Sequence, residues 1–333
     1  MSKRPEIIFP IAIDPDALLG FRDPAHKPTH LAAGEFIRAH GILSFGPGDE
    51  RALLDAIGEL VGRPQQLWSA AVEYLKKSRR ANARRPTSLA DFLAVQAMLN
   101  DSASLVRLAV VASADDEAAR TETCRTNITE RTTLPDIDES TAIVESGSIG
   151  TFPVGTPRRD IAECFLKPLA ARSRLVRVMD PQMLEGYLKN PKSPSAHVEW
   201  LLGVLGASLP AGASISLVGT LQGTWPLENR SRDQGLVETF VRDALKSRTD
   251  PLTVKVKLVQ TMRQPLKNRY LWFDCTDPFD VLHNLAPLGA DPLREEFRVE
   301  RQRPVNFQET KRIAEDYESA DQRGMVAISV VFP

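Results

Sequence analysis

The sequence predicts an α/β protein in two parts, the C-terminal one a mixed sheet flanked by helices. Short β-branched runs such as EIIFPIAI, RLVRVMD, ASISLVGT and MVAISVVFP alternate with amphipathic stretches of helical period, the rhythm of strands separated by helices. At 333 residues and 42% hydrophobic, the chain can fill two ordinary cores. Between Thr121 and Ser148 it turns polar and threonine-rich, with few apolar residues to bury. The expected division is therefore an N-terminal α/β domain over 1–120, a polar linker or surface excursion over 121–150, and a second α/β domain over 151–333.

Taken in order, EIIFPIAI reads as a strand ending in the acidic turn Asp14-Pro15-Asp16. LAAGEFIRAH has helical spacing, with Leu31, Phe36 and Ile37 on one face, and GILSF after it reads as a strand. GPGDERALLDAIGELVG places a Gly-Pro-Gly-Asp start before Leu53, Leu54, Ile57, Leu60 and Val61, an N-capped amphipathic helix. PQQLWSAAVEYLKKSRR and SLADFLAVQAMLND read as further helices, and the valine-rich SLVRLAVVAS as a strand. In the second half, TPRRDIAECFLKPLAARS is a helix lined by Ile161, Phe165, Leu166 and Leu169, followed by the strand RLVRVMD. SAHVEWLLGVLGASL and DQGLVETFVRDALKS are helices that bracket the strand ASISLVGT. LTVKVKLV and NRYLWFD are strands, FQETKRIAEDYESA is a late helix, and MVAISVVFP is a closing strand.

The 42 lysines and arginines balance 43 acidic residues, so net charge gives no global attraction to nucleic acid or anionic lipid. Cys124, Cys164 and Cys275 lack the CxxC spacing of zinc or redox sites and read as buried small apolar groups. No apolar run approaches the roughly 20 residues needed to cross a bilayer. The start MSKRPEIIFP is charged and broken by prolines where a signal peptide is apolar, so a cytoplasmic setting away from membranes is expected.

The stretch LKNRYLWFD carries the most specific chemical pattern. From Lys267 it fits K-x-R-x-x-x-x-D, with Arg269 and Asp274 as its later members. This resembles the H-x-K-x-x-x-x-D signature of the phospholipase D superfamily. The order of elements is similar to that of phospholipase D-like domains in bacterial defence and accessory loci: a helix leads to a strand ending in aspartate, here FLKPLAARSRLVRVMD, and a later strand carries the H-x-R-[YF]-[LI] stretch, here KNRYL. The resemblance covers roughly Thr156 to Pro333 and implies a phospholipase D-like mixed sheet. In that superfamily a histidine attacks phosphorus and a second histidine protonates the leaving oxygen. Lys267 stands where the first histidine belongs, and an ammonium with a reference pKa of about 10.4 has no lone pair to attack with. Arg269 retains the ability to grip phosphate oxygens through two N–H groups. The resemblance thus implies grip on a phosphate without cleavage. The competing reading of NRYLWFD is a strand with no function beyond packing. His283 and Asp274 are the remaining candidates for a catalytic role.

Other clusters carry less specific patterns. KKSRRANARR concentrates Lys76, Lys77, Arg79, Arg80, Arg84 and Arg85 without an acid, a candidate phosphate-contacting run or simply the basic end of a helix. Asp14 and Asp16 resemble the first acidic position of Mg²⁺-dependent nucleases, although a single DPD cannot build such a site and Asp-Pro turn chemistry is the favoured account. Asp49, Asp91, Asp115 and Asp116 show no partner spacing, and Pro28 in HKPTH argues against an ordinary helical pairing of His26 with His30. The expectation is a protein without a cofactor of its own that binds nucleic acid, DNA or RNA, or other protein subunits within a bacterial defence or DNA-processing system. An active nuclease or phosphodiesterase, using Mg²⁺ or a non-standard phospholipase D-like site, and a structural interaction subunit are the two alternatives.

Overall fold

The structure, a computed structural model, describes residues 6–81, 83–84, 88–89, 106–112, 130–192, 195–222, 227–261, 269–302, 308, 310–313, 315–316 and 326–333. Beyond Ser88 and Leu89, the helix expected over SLADFLAVQAMLND lies outside these residues, as does the turn between LTVKVKLV and NRYLWFD. The chain divides into two compact units, Met1–Ile149 and Gly150–Pro333.

The first unit is built on a parallel sheet of β1 (Phe9–Ile13), β2 (Gly41–Phe45), β3 (Ala83–Arg84), β4 (Leu108–Val110) and β5 (Glu130–Thr132), in the order β3-β2-β1-β4-β5. A central parallel strand is buried on both faces, which is why FPIAI and GILSF read as almost continuous apolar runs. Helices α1 (Pro15–Leu19), α2 (Lys27–His40), α3 (Asp49–Glu59) and α4 (Arg63–Lys77) supply Leu18, Ile37, Leu53, Ile57, Trp68 and Leu75 to one core with Ile11, Leu43 and Leu108. Pro28 does not prevent α2 from starting at Lys27, because a proline in the first turn removes an N–H that has no intrahelical partner anyway. At Gly41 a Cβ would lie 2.5 Å from the Ile37 carbonyl oxygen, so the direct turn from α2 into β2 requires glycine.

The expected linker is not a linker in its later part. β5, the short turn of helix Ile137–Glu139 and helix α5 (Thr141–Ser148) belong to the first unit, and Leu134, Ile137, Ala142 and Ile143 join its core. Four apolar anchors suffice because the polar residues around them satisfy backbone. The Glu130 carboxylate accepts hydrogen bonds from the N–H groups of Thr141 (2.7 Å) and Ala142 (2.9 Å), and Ser140 Oγ caps Ile143 N. The boundary thus falls at Ile149, where the sequence placed it across 121–150.

The second unit is a mixed sheet of eight strands: β6 (Thr151–Phe152), β7 (Leu175–Met179), β8 (Ala213–Gln222), β9 (Leu252–Thr261), β10 (Tyr270–Phe273), β11 (Phe279–Val281), β12 (Phe297–Arg301) and β13 (Val326–Phe332). Their order is β13-β9-β8-β7-β10-β11-β12-β6, with β7, β8 and β9 parallel and every other pairing antiparallel. Helix α6 runs Arg158–Ile161, widens through a π-helical turn at Ala162–Leu166 and continues as Lys167–Ala170. Pro168 has no N–H for the carbonyl four residues earlier, and the widened turn lies across that gap. Phe165 on that turn meets the Phe273 and Phe279 rings edge-on, at centroid distances of 6.2 and 5.0 Å. Helices α7 (Glu185–Lys189), α8 (Ala196–Ser208) and α9 (Arg230–Ala244) complete the layer. Cys164 and Cys275 are buried, and the Cys275 thiol lies 3.4 Å from the Leu169 carbonyl oxygen, consistent with a packing role.

The α/β class and the helix-flanked mixed sheet expected from the sequence are present. β6, β11, β12, α5 and α7 have no counterpart in the sequence reading. They are short, and β12 alternates Phe297 and Val299 with charged residues that hide its inward face.

Candidate phosphate-binding site

The strands that end at one rim of the mixed sheet bring together side chains that are distant in sequence. β7 ends at Met179, and the next residue, Asp180, is buried, with its N–H donating to the Val218 carbonyl at 3.1 Å. β10 runs antiparallel to β7 with Tyr270 opposite Met179, so Arg269, just before β10, faces the same rim. Ligands of α/β sheets characteristically bind beyond the carboxyl ends of parallel strands, where Asp180 stands.

A buried carboxylate requires donors, and Asp180 has them on both oxygens. Oδ1 accepts from Gln182 N at 3.0 Å and Oδ2 from Leu285 N at 3.2 Å. Arg269 Nε lies 3.5 Å from Oδ1, an ion pair whose arginine side chain is 24% exposed and whose aspartate is 3% exposed. The Arg269 carbonyl accepts from Val281 N at 2.9 Å, which fixes the backbone beneath the side chain. Among the described residues no hydrogen bond or ion pair is made by the Arg269 Nη groups. The carboxylate faces the Nε edge of the guanidinium at ion-pair distance, Nε itself making no hydrogen bond, and the Nη edge is available for two-pronged contact with an oxyanion.

His197, in the first turn of α8, stands near the same carboxylate. Burial pushes its imidazole below the ordinary histidine range, while the Asp180 charge pulls the other way. The short helical turn Ala286–Gly289 packs on the start of α8, where the space a Gly289 Cβ would occupy lies 3.6 Å from His197 N. His283 is on the loop between Val281 and Leu285 that supplies backbone N–H groups to Arg269 and Asp180, and its side chain is exposed.

The K-x-R-x-x-x-x-D pattern does not converge. Asp274 lies five residues beyond Arg269 across β10, roughly 16 Å away at strand rise, and its Oδ1 accepts from Arg174 N at 3.0 Å. Asp274 is thus a tie to the turn before β7 and not a partner of Arg269. Lys267 lies outside the described residues. The elements that do meet are the aspartate-ended strand and KNRYL, through Asp180 and Arg269. His197 was not legible because a single histidine in an apolar helix carries no spacing signal.

The basic run separates into residues with different fates. Arg80 is fully buried, its Nη1 donating to Ala39 O at 3.0 Å and its Nη2 to Arg38 O, at the C-terminus of α2. Arg79 takes a positive φ of 58°, which turns the chain so that Arg80 runs inward and its carbonyl accepts from Leu43 N. Arg80 is therefore removed from any nucleic-acid footprint, since its charge caps a helix inside the fold. Lys76 pairs with Glu50 at 3.1 Å and Lys77 with Glu73 at 2.7 Å, both as exposed surface ion pairs. Arg84 is described only as backbone in β3, and Arg85 lies outside the described residues.

Asp14 follows β1, and its side chain accepts from Asp16 N at 3.0 Å to cap α1. Burial raises its carboxyl above the usual range; the Asp16 N–H opposes this, and the charges of Asp16 and Asp49 add to the rise. Asp49 is thus a neighbour of Asp14, although the sequence spacing gave it no partner. Its Oδ2 accepts from Gly46 N at 2.8 Å, and both oxygens accept from Leu89 N at 3.0 and 3.1 Å. Among the described residues no group of three or more histidine, cysteine or acidic side chains is placed to hold a metal ion. Asp91, Asp115 and Asp116 lie outside the described residues. His26 packs edge-on against Phe21 at 5.1 Å, whereas His30 is buried. Trp68 Nε1 donates to His30 Nδ1 at 3.0 Å, so His30 Nε2 carries the proton shared with the Phe21 carbonyl at 2.8 Å.

Compared with known proteins, the chain matches no protein-family model and no curated protein. Among the described residues no helix is long and apolar enough to cross a membrane.

Proposed function

We propose that this protein is a component of a bacterial multi-protein defence or DNA-processing system, binding nucleic acid or a partner subunit by gripping phosphate without cleaving it. In this reading the second unit is a degenerate phospholipase D-like domain. The observation that carries it is the Arg269 guanidinium, oriented by buried Asp180 and presenting its free edge at the rim of the sheet. Lys267 in the nucleophile position supports binding over cleavage, because its ammonium has no lone pair for phosphorus. Buried Arg80 makes no contact with a phosphate, while Lys76 and Lys77, exposed at the end of α4, stay as a secondary part of the footprint.

The test is binding of a fluorescent oligonucleotide, read by anisotropy, with Arg269→Ala and Arg269→Lys. Loss with alanine and partial retention with lysine is expected; equal affinity in all three forms overturns the site. Gel analysis of the same oligonucleotide is expected to show no cleavage, with or without Mg²⁺.

A second reading is a Mg²⁺-dependent nuclease centred on Asp14 and Asp16, favoured only by the position of Asp14 directly after parallel strand β1, because no group of three acids is placed to hold a metal among the described residues. Mg²⁺-dependent cleavage abolished by Asp14→Asn would establish it over the first. The interaction-subunit reading prevails if no oligonucleotide binds at low salt.

A further inference from the structure

Two side chains around Asp180 have nitrogens without partners. Arg269 Nε is buried and makes no hydrogen bond, standing 3.5 Å from Asp180 Oδ1 as an ion pair. The half-buried His197 imidazole makes no hydrogen bond or ion pair among the described residues. Polar groups withdrawn from water are nearly always paired, so two such groups beside one carboxylate point to a ligand. The chain path brings them to one place. Ser195 Oγ, at the start of α8, donates at 3.2 Å to the carbonyl of Met183, three residues after Asp180. Leu285 N donates to Asp180 Oδ2, and the turn Ala286–Gly289 that follows packs on the backbone of His197. The Asp180 charge acts on the imidazole from this position.

A ligand arriving here meets the cation before the acid. Asp180 is sealed at 3% exposure and has backbone donors on both oxygens, whereas the Arg269 side chain keeps 24%. The neighbouring acids are turned elsewhere. Asp280 is opposite Tyr270 in the β10–β11 ladder, so it leaves the sheet on the other face from position 269, and it accepts from Gln302 Nε2 at 2.6 Å. Glu199 is two residues beyond His197 on α8, a spacing that puts the two side chains on different sides of a helix.

We propose that this site takes a phosphomonoester, the terminal phosphate of a nucleic-acid strand, with two oxygens on the Arg269 Nη groups and the third on the His197 N–H. The inference rests on the phosphate-gripping reading above and narrows it from any backbone phosphate to a strand end. The number of unesterified oxygens decides the class. A phosphodiester within a strand has two, and a guanidinium fork uses both; a terminal phosphate has three and carries roughly −1.5 to −2 charges near neutral pH. A neutral imidazole always holds one N–H, so His197 donates to the third oxygen without first taking up a proton. An internal phosphate must also pass chain out on both sides of the site, whereas a terminus enters an enclosed guanidinium from one side.

The experiment measures anisotropy of two 3′-labelled single strands with the full chain, identical except that one ends in a 5′-phosphate and the other in a 5′-hydroxyl. The phosphorylated strand is expected to bind roughly tenfold more tightly, the scale of one charge-assisted hydrogen bond. His197→Phe, which keeps a ring without an N–H, is expected to erase most of that preference, and His197→Gln to retain part of it. Circular dichroism melts establish that each variant is folded. Competition on the unaltered protein needs no variant: phenyl phosphate is expected to displace the phosphorylated strand at concentrations where diphenyl phosphate does not. Equal affinity for the two strands overturns this inference, and if both are then lost in Arg269→Ala the phosphate grip still stands. A preference unchanged in folded His197→Phe overturns the assignment of the third oxygen to His197. Binding of a phosphoserine peptide with neither strand bound overturns the nucleic-acid source. No binding of any probe, phenyl phosphate included, overturns both readings.

Discussion

The end of α4 in the first unit and the end of β7 in the second each position an arginine, and the two arginines have opposite fates. Arg80 turns inward and gives its Nη groups to the last carbonyls of α2. Arg269 stays at a rim, its Nε 3.5 Å from Asp180 Oδ1 in an ion pair without a hydrogen bond, and no hydrogen bond or ion pair is made by its Nη groups among the described residues. Both are fixed in place, but only the second has donors left for a ligand. The lesson is that basic density in a sequence does not locate an anion site; what matters is which edge of each guanidinium the fold consumes.

The largest test of this contrast is Arg80→Met. It removes the cation from two buried helix-terminal carbonyls and is expected to destabilise the protein by about 3 kcal/mol, read as a lower urea midpoint. Oligonucleotide affinity of the folded protein should be unchanged, and a drop would return Arg80 to the binding surface. Asp180→Asn comes next, with an expected loss of roughly 1–3 kcal/mol from weakened support of Arg269 and the Leu285 N–H. If its role is to orient Arg269, binding in this variant should no longer discriminate between Arg269 and Arg269→Lys; retained discrimination would show that Asp180 does not set the fork.

A smaller effect separates the two units by pH. His30 and His197 are both held below the ordinary value of 6.5 by burial. The unfolded chain then takes up protons as pH falls through that value before the folded chain does. Stability contributed by the neutral imidazoles is complete above about 6.5 and declines below it. Urea midpoints measured from pH 7.5 to 5.5 should fall, and His30→Gln should flatten the decline attributable to the first unit. An identical decline in that variant would exclude His30 as a source. The smallest effect belongs to Lys76→Ala, where loss of a partly exposed ion pair should leave the melting temperature within error; a shift of several degrees would mark the pair as structural.

Much of the architecture was legible because burial writes a periodic signal. The paired runs FPIAI and GILSF, the alternation of LTVKVKLV and the spacing of PQQLWSAAVEYLKK each correspond to an element. The segment 130–148 was misread because its stability depends on Glu130 and Ser140 satisfying backbone N–H groups, which polar composition alone does not distinguish from solvated chain. Half of the candidate site was legible: Arg269 from its motif and Asp180 from the strand it terminates. Their meeting was not, because it depends on the antiparallel register of β10 against β7, which places Asp274 at the far end. The inward turn at Arg79 was likewise invisible, since nothing in KKSRR marks a left-handed residue.

The hydrogen bond between Trp68 and His30 has an optical consequence. An indole nitrogen can only donate, so a proton added at Nδ1 would eliminate its acceptor and leave the ring without that bond in a closed interior. The emission of Trp68 should therefore serve as a built-in gauge of local acidification, changing in colour or yield as the imidazole charges and remaining steady in a chain whose position 30 cannot titrate.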